Sequence, residues 1–126
     1  MTERELLQRT KQFALRIFKL VGALPQTIQG RAVAAQLIPS GTSVAANYRA
    51  ACRARSKSEF IAKLGLVEEE ADESAFWLEL IIETGLLSKP KVRPLLAEAS
   101  EIVAMMASSK KTAAKSQIAN RKSAMS

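Results

Sequence analysis

Histidine is absent from the 126-residue sequence, and cysteine occurs once, as Cys52. A single cysteine excludes an internal disulfide, and a zinc site is not expected without histidine. A lone thiol suits a reducing compartment, so we expect a cytoplasmic protein. Nearby arginines favour a thiolate at Cys52, but no histidine is available as its base. We therefore expect no catalytic residue, no metal and no cofactor, and the sequence does not predict an enzyme.

Glycine and proline are scarce, with five and four residues, and aromatic residues make up only 5% of the chain. Leu, Ala, Glu, Lys and Arg dominate instead, which is typical of helical proteins. No uncharged apolar run approaches the roughly 20 residues that span a bilayer. The N-terminal stretch MTERELLQRTKQ is charged throughout. We therefore expect one all-α domain without a membrane segment or a secretory signal.

Apolar residues recur at spacings of three and four, which predicts helices with one buried side. Thr2 with Glu5, and Ser56 with Glu59, form two capping boxes that mark helix starts. Short loops make successive helices antiparallel neighbours. These patterns predict an antiparallel up-down-up-down four-helix bundle over residues 1–107. The predicted core positions are Leu6, Thr10, Phe13, Ile17, Leu20 and Leu24 in the first helix; Phe60, Leu64, Val67, Ala71, Ser74, Leu78 and Ile81 in the third; and Val92, Leu96, Ala99, Val103 and Met106 in the fourth.

Two segments depart from regular helix patterns. The second helix, about residues 26–54, contains Pro39, which removes a helical hydrogen bond and crowds the preceding turn. We expect a kinked helix there, or two helices in line, with Ser40 or Thr42 as a new N-cap. The segment 108–126 is polar, basic and poor in apolar residues. We expect it to fray into a disordered tail.

The third helix has a second apolar side in addition to its core positions. Phe76 lies opposite the core side, with Leu66 and Leu80 beside it and Trp77 at the flank. An exposed apolar patch of this size usually marks an interface. We predict self-association, with the alternative that the second helix or the tail covers Phe76. The predicted interface residues are Leu66, Glu73, Phe76, Trp77 and Leu80.

The formal net charge of +7 is unevenly distributed. Residues 1–63 carry a net charge of +8, residues 64–107 carry −6 and residues 108–126 carry +5. A basic surface predicts an anionic partner such as RNA or DNA, and the tail cations either add to this attraction or only solubilise the chain. The candidate phosphate contacts are Arg49, Arg53, Arg55, Lys57 and Lys63.

The acidic run EEEADE, residues 68–73, raises a metal hypothesis and a pairing hypothesis. Di-iron bundles use glutamates on facing helices together with histidines. Because histidine is absent, we interpret the run as a solvated or salt-bridged face. Glu69 and Glu73 have the same one-turn spacing as Arg49 and Arg53, so the two sets are also candidates to pair within one chain or across an interface.

The region SGTSVAANYRAACRARSKSEFIAKLGLVEEEADESAFWLELI, residues 40–81, resembles the signature region of the 23S rRNA intervening-sequence protein family. The later stretch TGLLSKPKVRPLLAEASEIVAMMASSKKTA also resembles the fourth helix of that family. The resemblance covers residues 5–115. It implies four antiparallel helices that assemble into a homo-oligomer, a ring-like pentamer, and it implies no enzymatic activity. A more distant similar group contains basic accessory proteins of diversity-generating retroelements, which implies either nucleic acid or a protein such as a reverse transcriptase as a partner.

Overall fold

The computed structural model describes residues 1–125 and contains four helices over that range, with no strand. Helix α1 spans Glu3–Gly22, α2 spans Ile28–Cys52, α3 spans Lys57–Thr84 and α4 spans Lys89–Met125. Each helix packs on the next along the chain, and α1 also contacts α4, whereas α1 and α3 lie diagonally opposite. The predicted all-α four-helix bundle is confirmed.

Side-chain caps begin three of the helices. The hydroxyl of Thr2 accepts a hydrogen bond from the Glu5 backbone N–H at 3.1 Å, and Ser56 does the same for Glu59 at 3.0 Å. Thr27 caps α2 in the same way. At the C-terminal end of α3, Gly85 adopts a left-handed conformation with φ of 71°, which a side chain would disfavour. These local bonds satisfy backbone groups that a helix end would otherwise leave unpaired.

The core is formed by one side of each helix. All six predicted core positions of the first helix are buried, although Leu24 lies just beyond the end of α1. Six of the seven in α3 are also buried, and Phe60 is only half-buried. In α4 the prediction was partly wrong, because Leu95 and Ile102 are buried while Leu96 and Val103 are half-buried. At those two positions the buried side of α4 is therefore rotated relative to the predicted one by about one residue, or about 100°.

Helix α2 runs without interruption on both sides of Pro39. The alternative of two helices in line was therefore wrong, while the kink itself stays a prediction. Neither Ser40 nor Thr42 caps a new helix: both hydroxyls donate to backbone carbonyls of the preceding turn. Ser40 also receives a hydrogen bond from the Ser74 hydroxyl of α3 at 3.0 Å, and both side chains are buried. Their pairing satisfies two polar groups inside the α2–α3 contact.

The structure differs from the prediction of disorder after residue 107. Helix α4 continues to Met125, and only residue 126 of the predicted tail lies outside the described residues. Ala113 is buried, the Lys57 ammonium donates to the Ser116 hydroxyl at 3.3 Å, and the Gln117 amide donates to Ser58 at 2.8 Å. Alanine, lysine and glutamine favour helix, and these contacts with the start of α3 hold the first half of the segment.

Candidate functional site

A cleft of about 710 Å³ lies between α1 and α2 and contains two of the predicted phosphate contacts, Arg49 and Arg53. Both guanidinium groups belong to exposed residues. Lys11 of α1 adds a third cation, and Glu3 is the one acidic residue of the lining. The cleft is therefore basic. Its other lining residues are Leu7, Thr42, Ala45, Ala46 and Cys52.

The structure does not join these arginines to the acidic residues of α3. The ion pairs among residues 1–125 are Arg9 with Glu98, Arg9 with Glu101, and Lys110 with Glu68. The hypothesis that Arg49 and Arg53 pair with Glu69 and Glu73 within one chain was therefore wrong. All four side chains are exposed, and pairing across an interface between copies stays a prediction.

The environment of Cys52 opposes reactivity. Burial raises the pKa of its thiol, although a hydrogen bond with Tyr48 partly offsets this effect. The thiol is therefore protonated at neutral pH, and only the thiolate is a strong nucleophile. Burial also raises the pKa of the Tyr48 phenol. Because Tyr48 is only 3% exposed, its ring is not available to stack on a nucleic-acid base.

The remaining predicted cations lie apart from this cleft. The Arg55 backbone N–H donates to the Glu59 carboxylate at 3.0 Å. Arg55 is exposed, and its guanidinium forms no ion pair among residues 1–125. Lys57 lies against α4 at Ser116, and Lys63 is half-buried further along α3. The structure therefore does not gather the five residues into one surface: Arg49 and Arg53 share a cleft, and Lys57 lies at the contact between α3 and the end of α4.

The second apolar side of α3 is exposed. Phe76 is 50% and Leu66 43% exposed, so neither α2 nor the tail covers Phe76 in the described part of the chain. Trp77 packs edge-on against Phe76, with ring centroids 5.0 Å apart at 75°. The buried indole N–H of Trp77 has no hydrogen-bond acceptor within the described part of the chain. Leu80 is half-buried and Glu73 is exposed, so this face combines apolar and acidic groups.

A similar apolar patch on α1 was missed in the sequence. Leu15 and Phe18 are each 50% exposed on the outer side of α1. At about 100° per residue, Leu15 lies directly opposite the buried side of α1. Phe18 lies about 120° from that side, on the same flank as the cleft residues Leu7 and Lys11. The same helical spacing that marked Phe76 was available for them. The bundle therefore exposes apolar side chains on two diagonally opposite helices.

A charged cluster between α1 and α4 was also missed. The Arg9 guanidinium donates to both carboxylate oxygens of Glu98, at 2.7 and 2.8 Å, and also bonds to Glu101. This guanidinium holds the pKa of Glu98 below its ordinary value, although burial opposes the shift. The pairs join residues far apart in the chain, so no local sequence pattern marks them. They attach α1 to α4.

The acidic run of α3 shows no metal-binding arrangement. Over residues 1–125, no group of three or more potential ligands converges on one point. Burial raises the pKa of Glu70, and the neighbouring Glu73 and Glu69 raise it further. Glu68, the first carboxylate of the run, binds Lys110 at 2.5 Å. The run is thus partly salt-bridged and partly exposed.

No helix within the described 125 residues is long and apolar enough to cross a membrane. The fold and its surfaces define a small antiparallel four-helix-bundle protein with basic and acidic faces. The family model of the 23S rRNA-intervening sequence protein matches residues 2–108, and the chain belongs to this family.

A solved structure supports the same assignment. The chain is 30% identical to a protein with unknown function from the S23 ribosomal protein family of Bacteroides thetaiotaomicron VPI-5482, whose crystal structure was determined at 1.70 Å. The match covers 88% of this chain and 99% of the other, with a TM-score of 0.78. A comparison with curated protein sequences gives no significant match.

Proposed function

We propose that this protein is a non-enzymatic homo-oligomer, a pentameric ring in the cytoplasm, that binds RNA or DNA weakly and without sequence preference. The predicted contacts are phosphates, held by Arg49, Arg53, Arg55, Lys57 and Lys63. The observation that carries the proposal is that Arg49, Arg53 and Arg55 are exposed and that their guanidinium groups form no ion pair among residues 1–125. Free cations of this kind attract a polyanion by releasing its counterions.

The weakness and low sequence preference follow from the side chains at the basic positions. Single-strand binding gains much of its affinity from aromatic stacking on the bases. Tyr48 is buried and Phe60 is half-buried, so neither offers an open ring beside these cations. Phosphate contacts alone hold a nucleic acid without reading its sequence.

Self-association accounts for the two exposed apolar patches. Leu66 and Phe76 on α3, and Leu15 and Phe18 on α1, lie on helices that are diagonally opposite. A copy that covers the α3 patch with its own α1 patch makes a head-to-tail contact, and such contacts generate rings when the rotation closes. This arrangement buries both patches at once.

A salt titration tests nucleic-acid binding. Fluorescence anisotropy with a labelled RNA and a labelled DNA gives the affinity between about 50 and 200 mM salt, where a phosphate-binding protein loses affinity steeply. Arg49→Gln/Arg53→Gln should weaken binding and reduce the salt slope by about 0.9 per lost contact. Arg4→Gln is the single-charge control, since Arg4 is exposed on α1 and forms no ion pair among residues 1–125. Binding that is indifferent to salt, or absent at low salt, contradicts the proposal.

A second candidate function is a protein-interaction scaffold or accessory protein, for example for a reverse transcriptase. The charge complementarity of the two faces favours it, because Arg49 and Arg53 line a basic cleft while Glu69 and Glu73 are exposed beside the α3 patch. In this case the arginines form salt bridges between copies. Arg53→Ala should then change the oligomer mass in size-exclusion chromatography with light scattering. An unchanged oligomer contradicts this candidate.

A further inference from the structure

Helix α4 extends past the end of the bundle at which α3 begins. It spans Lys89–Met125, whereas its partner α3 begins at Lys57. The contacts of Lys57 with Ser116 and of Ser58 with Gln117 place the start of α3 beside that part of α4. At about 1.5 Å per residue, residues 118–125 continue for about 12 Å beyond this contact. We call residues 108–125 the α4 extension.

The α4 extension carries its cations in a row. Lys111, Lys115 and Lys122 are exposed, and at about 100° per residue they fall within an arc of about 40° and span about 17 Å. This arc lies opposite the buried Ala113. None of the three forms an ion pair within the described residues, whereas Lys110, on another side, binds Glu68. Downstream of Glu101 the sequence contains no acidic residue at all.

Helix energetics explain only part of this arrangement. Cations in the last turn interact favourably with the helix dipole, which accounts for Lys122. Lys111 and Lys115 lie outside the last turn, and like charges one turn apart repel each other. Their row is therefore not favoured by the helix itself, and an external polyanion would relieve the repulsion.

We infer that the α4 extension binds the phosphate backbone of duplex nucleic acid through Lys111, Lys115 and Lys122. This inference rests on the proposed nucleic-acid binding, and it adds that the α4 extension is the binding element and that the nucleic acid is a duplex. The row covers the length of about five base pairs, since one strand of a duplex carries a phosphate every 3.4 Å or so. The extension contains no aromatic residue, so it lacks the stacking groups on which single-strand binding depends.

The composition of the extension also argues against a membrane surface as the partner. A helix that lies in a bilayer interface needs a continuous apolar side with bulky residues. In residues 108–125 the large apolar side chains are only Ile118 and Met125. Ile118 lies at the edge of the lysine row, about 20° outside its arc on the side of Lys111, when each residue turns by about 100°.

The test compares two triple variants of the full chain that remove the same charge from opposite ends of α4. The test variant is Lys111→Gln/Lys115→Gln/Lys122→Gln. The control variant is Lys89→Gln/Lys91→Gln/Arg93→Gln, whose three residues are exposed near the start of the helix. Glutamine keeps the helix propensity close to that of lysine. Circular dichroism verifies that both variants keep the helix content and melting temperature of the wild type.

Anisotropy is measured with RNA and DNA duplexes of about 20 base pairs, with the matching single strands, and across salt. We expect wild type to bind duplexes more tightly than single strands. The slope of log affinity against log salt should be about 2.7 less steep for the test variant than for wild type. Between about 50 and 200 mM salt, the variant should therefore lose about 40-fold less affinity than wild type loses. The control variant should retain the wild-type slope.

The outcomes separate this inference from the function on which it rests. If wild type binds nucleic acid but the two triple variants behave alike, the inference is overturned and the proposed function stands. If wild type binds no nucleic acid at low salt, both are overturned. Equal affinity for single strands and duplexes overturns the duplex assignment. Equally tight, lysine-dependent binding to anionic lipid vesicles overturns it as well.

Discussion

The α1–α2 face and the outer face of α3 are built on the same plan with opposite charge. Each exposes two large apolar side chains: Leu15 and Phe18 on α1, and Leu66 and Phe76 on α3. Phe18 of the first face lies on the α1 flank that lines the cleft of Arg49 and Arg53, whereas the second face carries the acidic run of α3. Two complementary faces on opposite sides of one subunit favour a head-to-tail contact over a two-fold contact of identical faces.

The contact between α1 and α4 differs from both apolar faces in how its charges are paired. There the charges are neutralised within the chain, because Arg9 binds both Glu98 and Glu101. On the two apolar faces, Arg49, Arg53, Glu69 and Glu73 have no ion pair among the described residues. The difference indicates which charges stabilise the subunit and which are available to a partner.

The largest effect is expected from removing an apolar anchor of either face. Phe76→Ser or Phe18→Ser should each convert the oligomer to monomer, because burying one such ring contributes about 1.5–3 kcal/mol per interface. Size-exclusion chromatography with light scattering measures the mass. Ile118→Ser is the matched control, since Ile118 is 51% exposed away from both faces. A monomeric wild type, or an oligomer that survives both substitutions, contradicts the head-to-tail arrangement.

Breaking the neutralised side should destabilise the subunit without changing its assembly. Arg9→Gln should lower the free energy of unfolding by about 1–2 kcal/mol at neutral pH, because it removes charged hydrogen bonds to Glu98 that are partly shielded from water. Chemical denaturation measures the loss. Arg4→Gln on the same helix should have little effect, because Arg4 is exposed and forms no ion pair with any of the 125 described residues.

The same ion pair predicts a pH dependence. The folded-state pKa of Glu98 lies below its unfolded-state value. Its contribution is therefore complete above the ordinary pKa of glutamate and is lost as the pH falls through the folded-state pKa. Wild type and Arg9→Gln should converge in stability under acid. A constant difference across the acid range would show that this carboxylate is not the source of the effect.

A charge exchange between the two faces should have a smaller effect. Arg53→Glu and Glu73→Arg should each weaken assembly if these side chains meet between copies, and the double variant should recover part of the loss. The expected coupling is about 1 kcal/mol, as for pairs near the solvent. Dissociation of the oligomer on dilution measures it. If the effects of the two single variants simply add in the double variant, Arg53 and Glu73 do not meet between copies, and Arg53 stays available for phosphate.

The smallest effect concerns Cys52, which lines the cleft of the α1–α2 face. Because burial raises the pKa of its thiol, alkylation by iodoacetamide at neutral pH should be slower than for a free thiol and should accelerate with rising pH. If a neighbouring copy covers this face, Phe76→Ser should accelerate alkylation further. An identical rate in wild type and in this variant would mean that the cleft stays open in the oligomer.

Which features could be predicted from the sequence depended on the range of the interactions that form them. The caps at Thr2 and Ser56 and the core positions of the first helix follow from residue spacings within one or two turns, and all are confirmed. In α4 the prediction named Leu96 and Val103 instead of the buried Leu95 and Ile102. The two residues of each neighbouring pair are both apolar, so spacing alone does not choose between them. The prediction of disorder after residue 107 was wrong for the described residues, because the helix there is stabilised by contacts with α3.

The sequence by itself determined four amphipathic helices, their antiparallel order and a second apolar side on α3, since these follow from periodicity, capping and short loops. Only the tertiary structure decided which charges meet. It joined Arg9 to Glu98 across 89 residues of chain and kept Arg49 and Arg53 away from Glu69 and Glu73. The physical reason is that charge pairing depends on the rotation of each helix about its axis, and packing of the whole core sets that rotation.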